Sequence, residues 1–253
     1  MRSDILQEQI QYYRERAPEY DKWFFRQGRY DRGENHRHQW LSEVSEVETA
    51  LRAAVPSGDI LELACGTGLW TQHLAPLATR LTAVDSSIEA IALNQQRVGS
   101  ATIEYVVADL FNWTPDRQFD FIFFGFWLSH VPMERFSPFW QMVEGALKPN
   151  GRVFFVDNLL TQNSTARNHA ALNQQGYSER KLNDGRTYTV VKIFYEPTQL
   201  QESLQNLGWL GHVHHTENYF LHGLFSRSTH NNIRIISARK ASKYEQKNYF
   251  EQI

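Results

Sequence analysis

Four largely apolar runs in the 253-residue chain each lead into residues able to do chemistry. Ile60 to Ala64 runs into Gly66 and Gly68, and Arg80 to Val84 ends at Asp85. Thr102 to Ala108 ends at Asp109, and Phe119 to Phe124 leads through Gly125 to Phe126, Trp127 and His130. A glycine pair after a buried strand lets backbone approach a ligand, because glycine has no Cβ and tolerates positive φ. The helix start behind it offers unpaired N–H groups. In an open α/β sheet, ligands sit at the carboxyl ends of the strands. Asp85, 17 residues beyond Gly68, can there accept hydrogen bonds from both hydroxyls of a ribose. The alternative is that it caps the helix at 88–98, a duty that Ser86 or Ser87 can take instead. His130 is the candidate base at this mouth. An imidazole with an ordinary pKa of about 6.5 can take a proton from a phenol or enol, or it can simply bond its own loop. Phe126 and Trp127 offer ring faces to a cation or a flat ligand.

Which ligand the glycine pair serves is narrowed by what is missing. A dinucleotide fingerprint wants a third glycine where this chain has Thr71. A P-loop needs a Gly-Lys-Ser/Thr triplet, which does not occur. The stretch Glu62-Leu-Ala-Cys-Gly-Thr-Gly68 is instead similar to motif I of the class I S-adenosylmethionine-dependent methyltransferases of the small-molecule type, and Leu147-Lys-Pro-Asn-Gly151 before a strand is a further likeness. The resemblance spans roughly residues 12–226. It implies an α/β fold: a doubly wound, mainly parallel seven-stranded, Rossmann-like sheet with an antiparallel edge hairpin. It implies S-adenosylmethionine as cofactor and S-adenosylhomocysteine as product. Residue by residue, it implies that Gly66 and Gly68 pass the amino-acid part, with Asp85 at the ribose and Asp109 and Leu110 at the adenine; Ala64, Thr67 and Ser86 are also expected at the cofactor. Glu62 would order the loop or meet the ammonium through water, and Phe126 would lie near the sulfonium. Tyr20 and Arg29 are expected at the cofactor and Tyr13 and Trp127 at the acceptor, with Arg29 or Tyr13 meeting the cofactor carboxylate. The Asn/Asp-Pro-Pro-aromatic signature of DNA amino-methyltransferases is absent after the fourth strand.

The elements that must hold these residues can be read in order. Residues 4–30 suggest a polar helix, broken or restarted at Pro18, then an aromatic segment; together with the stretch to residue 40 they form a helical lid. Trp40, Leu41, Val44, Val47, Leu51 and Ala54 recur at helical spacing. The cofactor-binding core is 59–157, and a polar insertion at 158–195 carries a hairpin with Asn183-Asp184-Gly185 as its turn. A helix at 197–207 and strands near 210–216 and 219–226 follow. Residues 228–253 read as a C-terminal extension, with one more strand at 231–239, and the whole is taken as one domain.

Composition agrees. At 42% hydrophobic and 21% charged, this is an ordinary globular chain. A net charge of −2 leaves no electrostatic footprint for nucleic acid. No apolar stretch is long enough to span a membrane, and no secretory leader is evident. The single cysteine, Cys65, fits a reducing, cytoplasmic setting. His212, His214 and His215 lack acidic or cysteine companions, so no metal is expected. The expected activity is in-line methyl transfer to a small, aromatic or heterocyclic acceptor, most readily at oxygen. The rivals are a nicotinamide-dependent oxidoreductase, a non-catalytic cofactor-binding protein, and a protein or tRNA methyltransferase. A homodimer through the aromatic N-terminus is a further expectation.

Overall fold

A computed structural model describes residues 3–164 and 176–227. The expected strand at 231–239 and the rest of the C-terminal extension lie outside the described residues, as does part of the insertion. The elements run α1 (Ser3–Phe24), α2 (Glu34–Ala53), β1 (Asp59–Leu63), α3 (Thr71–Leu74), β2 (Arg80–Asp85), α4 (Ile88–Val98), β3 (Ile103–Val107), β4 (Phe119–Gly125), α5 (Met133–Ala146), β5 (Leu147–Asn158), β6 (Tyr177–Lys181), β7 (Thr187–Val191), α6 (Pro197–Asn206), β8 (Trp209–His215) and β9 (Phe220–Arg227). Seven strands form one sheet in the order β3-β2-β1-β4-β5-β9-β8, with β6 and β7 paired separately. Neighbours are parallel from β3 to β5, and β9 runs antiparallel to both β5 and β8. The doubly wound sheet with its antiparallel edge is therefore as expected.

The central strands read as largely apolar runs because both faces are covered. On one face Ile60, Phe121, Phe123 and Phe154 pack against Trp40, Val44, Val47 and Leu51 of α2. On the other, Leu61, Leu63, Phe124 and Phe155 meet Phe136, Phe139, Trp140 and Val143 of α5 and Leu200 and Leu204 of α6. Each such side chain, fully buried, stabilises by about 1.5–3 kcal/mol.

One local expectation fails. Pro18 sits inside α1 without ending it. Tertiary contacts outweigh the lost hydrogen bond, because α1 lies along β7 and α4. The helix after the glycine turn is a single short turn, Thr71–Leu74.

The β8–β9 connection is held from α2. Glu43 accepts from Asn218 N at 3.1 Å, Asn218 Nδ2 at 2.8 Å and Tyr219 N at 2.9 Å, and also from the Thr216 hydroxyl. Glu43→Ala orphans several donors at once. At roughly 1–3 kcal/mol for each one left buried, denaturant unfolding should register a loss of about 3 kcal/mol.

Candidate active site

The carboxyl ends of β1 to β4 open into a cleft of about 770 Å³, roofed by α1. Of the residues expected at a ligand site, Tyr13, Tyr20, Ala64, Gly66, Thr67, Asp85, Ser86, Asp109, Leu110, Phe126, Trp127 and His130 line it together. Strand ends bring them there: β1 delivers Ala64 and the glycine loop, β2 Asp85, β3 leads to Asp109, and β4 to Phe126. Ala64 and Phe126, which follow the two central strands, both hold left-handed backbone at φ 53° and 56°. Such conformations cost a residue with a Cβ roughly 1–2 kcal/mol and cluster at functional sites.

Asp85 ties the cleft together. Its Oδ2 accepts from Gly66 N at 2.9 Å and its Oδ1 from Ser87 N at 2.8 Å. Ser87, not Asp85, caps α4, its hydroxyl accepting from Ala90 N at 3.0 Å. Each Asp85 oxygen thus keeps a lone pair for a ligand. Burial pushes its carboxyl pKa up, against the backbone N–H bonds that favour the anion. Asp109 bonds its own turn, accepting from Phe111 N at 3.0 Å and Asn112 Nδ2 at 2.7 Å.

Three expected residues stand apart from this cleft. Gly68 lies behind the loop at φ 89°, where a Cβ would come within 2.7 Å of Asn94 Oδ1. Glu62 is buried beneath the loop with one oxygen lacking a partner, and burial raises its pKa to about 8. That placement suits it to supporting the loop. Arg29 is drawn off to the hairpin, donating to Lys181 O at 2.6 Å and pairing with Glu19 at 3.4 Å. It lines neither this cleft nor the next one. The loop is instead locked to the lid by Thr67 Oγ1 donating to Asp21 Oδ1 at 2.7 Å, by Arg97 Nε donating to Thr67 O at 2.8 Å, and by an Arg97–Asp21 ion pair.

A second cavity of about 510 Å³ adjoins the first across Tyr13, Tyr20, Phe126 and His130. Sequence reading missed its character. Arg16 from α1, Arg180 from β6 and Lys192 just beyond β7 all line it, and all three are buried. Arg16 lies within 5.0–5.9 Å of the Tyr12, Tyr13, Tyr20 and Trp23 ring centres. Lys192 Nζ donates to Ser129 Oγ at 2.7 Å and stands 3.6 Å from Asp157, whose carboxylate also accepts from Ser129 N and Asn158 N. Burial lowers the Lys192 pKa to about 8; Asp157 opposes the fall, and Arg180 and Arg16 add to it. Tyr12 Oη, Asn158 Nδ2 and Arg16 Nε, all from residues lining this cavity, are buried without partners.

His130 stands on the wall between the cavities. Its Nδ1 lies 2.7 Å from Val191 O and its Nε2 2.7 Å from Tyr13 Oη. A carbonyl only accepts, so Nδ1 carries the proton and Nε2 accepts from the tyrosine. Burial, then Lys192, drive its pKa well below the ordinary value. Both ring nitrogens are engaged, and the lowered pKa makes the ring a weaker base than an ordinary imidazole.

Part of the missed set left a trace in the sequence. Arg16 has Tyr12, Tyr13 and Tyr20 at spacings that share a helix face, and Arg180 falls on the buried phase of β6, with Ser178. Nothing local joins them to each other.

Residues 60–151 match a family model described as a methyltransferase domain. The structure of DhpI with SAH is 38% identical, with a TM-score of 0.74 over 88% of this chain and 97% of that one. A DhpI–SAM–HEP complex is 38% identical, also with a TM-score of 0.74, over 89% and 99%. Among curated proteins, Nodulation protein S of Sinorhizobium fredii is 38% identical over 76 residues, which is 28% of this chain and 35% of that protein. Trans-aconitate 2-methyltransferase of Shigella dysenteriae is 32% identical over 148 residues, 56% of this chain and 57% of that protein. The match thus spans between about a third and somewhat over half of these two curated relatives.

Proposed function

The chain belongs to the class I S-adenosylmethionine-dependent methyltransferases, and on that premise we propose that it methylates an anionic oxygen of a small acceptor held among Arg16, Arg180 and Lys192. The observation that carries this reading is the convergence of three buried cations in a cavity next to the cofactor cleft, with Asp157 as the carboxylate at Lys192. Buried charge is costly unless compensated. An acceptor anion offers this to Arg16, whose Nε–H has no partner, and Tyr12 Oη and Asn158 Nδ2 stand ready to donate to further oxygens. The acid acceptor in the name of the trans-aconitate relative agrees with this choice. The rings that suggested a flat aromatic acceptor are largely spent on one another and on Arg16.

The first cleft suits the cofactor. We assign the Asp85 lone pairs to the ribose hydroxyls, the Asp109–Leu110 turn to the adenine, and the backbone at Ala64, Gly66, Thr67 and Phe126 to the amino-acid and sulfonium end. Bound there, S-adenosylmethionine supplies a methyl group on a cationic sulfur, open to in-line displacement. The chain's own part is alignment and the exclusion of water, which together supply much of the barrier lowering. Lys192 and the two arginines bind the acceptor in its ionised form, so no base is required. Tyr13, its proton directed at His130, presents oxygen lone pairs to the acceptor's surroundings and fixes the wall between the two cavities.

The test is transfer of labelled methyl from S-adenosylmethionine to a panel of small carboxylates, phosphates and phosphonates, run beside phenols and catechols. Label on the anions is expected. Label confined to the phenols, with the anions failing even to compete, would overturn the reading.

A further inference from the structure

We infer that the indole N–H of Trp70 is the donor that recognises the carboxylate of the cofactor's amino-acid end. Trp70 follows the glycine loop and is 6% exposed, and its Nε1 is buried without any hydrogen-bond partner. It lines a small recess off the cofactor cleft together with Tyr20, Gly66, Thr67 and Phe126. Gly125 makes room for it: a Cβ there would stand 2.9 Å from Trp70 Cδ1 and 3.0 Å from Nε1. Packing explains the ring, whose centre is 5.4 Å from that of Phe123. It does not explain the donor, because packing needs no N–H, and one left buried and unpaired is costly. The inference rests on the assignment of the glycine loop to the amino-acid end of the cofactor. At that end the ammonium and the sulfonium are cations with nothing to accept an N–H, so the carboxylate is the partner the recess can serve. With Arg29 turned toward the hairpin, a neutral indole stands where a guanidinium was expected.

The test compares two ligands on two proteins. S-adenosylhomocysteine carries the amino-acid end, and 5′-methylthioadenosine lacks it. Trp70→Phe should weaken S-adenosylhomocysteine by about 10- to 100-fold, the range for a lost hydrogen bond to a charged group, and leave 5′-methylthioadenosine within about twofold. Equal losses for both ligands, or none for S-adenosylhomocysteine, overturn the assignment, and so does a wild-type chain that binds neither. A second measurement uses the unaltered protein. The ¹⁵N-indole resonance identified by its nuclear Overhauser contact with the Gly125 α-protons should move downfield with S-adenosylhomocysteine and stay in place with 5′-methylthioadenosine. A resonance indifferent to both ligands rejects the inference even if the variant fails to fold.

Discussion

Lys192→Met should raise the acceptor KM about a hundredfold while leaving affinity for S-adenosylhomocysteine within about twofold. Truncating one partner of a buried, hydrogen-bonded charge pair costs roughly 2–5 kcal/mol, and a hundredfold change lies in the lower half of that range. The variant keeps its fold because Asp157 retains the N–H bonds from Ser129 and Asn158. The ammonium also predicts a pH profile. With its pKa lowered to about 8 by burial, Lys192 is charged below that pH and neutral above it. Acceptor affinity should therefore be present at pH 7 and fall as pH rises through about 8. Stability should move the other way. Between about 8 and the ordinary lysine value of 10.5, the unfolded chain holds a proton that the folded chain has released, so this group makes stability rise with pH. Lys192→Arg, which stays protonated throughout, should abolish the alkaline loss of acceptor binding. A KM that ignores both substitutions and pH would remove Lys192 from the acceptor site.

Asp85→Ala should weaken S-adenosylhomocysteine at least thirtyfold, as measured by calorimetry. Two losses combine. The variant lacks the acceptors assigned to the ribose hydroxyls, and each such charge-assisted bond is worth about 1.5–3 kcal/mol. It also frees Gly66 N and Ser87 N, so the glycine loop loses the carboxylate that pins it to β2. The wild-type affinity carries the same signature in acid. Burial raises the Asp85 pKa, so cofactor affinity should be full near neutrality and fall on acidification at a pH above that of an ordinary aspartate. Affinity within about twofold of wild type in the variant would detach Asp85 from the cofactor.

The cofactor cleft was far more legible in the sequence than the acceptor cavity, and the reason is distance along the chain. Ala64, Asp85 and Phe126 stand at or just after the ends of buried parallel strands, and such a strand announces itself by a largely apolar run with its functional residue at the end. Asp85 and the Gly66–Gly68 turn need no tertiary information to be noticed. Arg16, Arg180 and Lys192 carry no such mark. In sequence a lone cation is read as a solvated side chain, and only the seating of α1 on β7 turns these three inward. The same seating explains the misplacement of Arg29, whose partners Glu19 and Lys181 come from the helix and the hairpin. The apolar phase of α2 was readable because its partner is a continuous sheet. The passage of α1 through Pro18 was not, since local propensity argued against it.

The left-handed backbone at Ala64 and Phe126 bears on how this protein can be re-engineered. A thermostabilisation campaign ranks sites by recoverable conformational energy, and glycine at either position relieves the steric cost of a Cβ in that conformation. Both are walls of the cleft, but only Ala64 would score well, since Phe126 packs its ring into the core and deleting a buried ring costs about 3–5 kcal/mol. Ala64→Gly would trade a fixed backbone at the cleft wall for a few degrees of melting temperature, so variants selected for heat resistance alone should drift toward a slacker glycine loop.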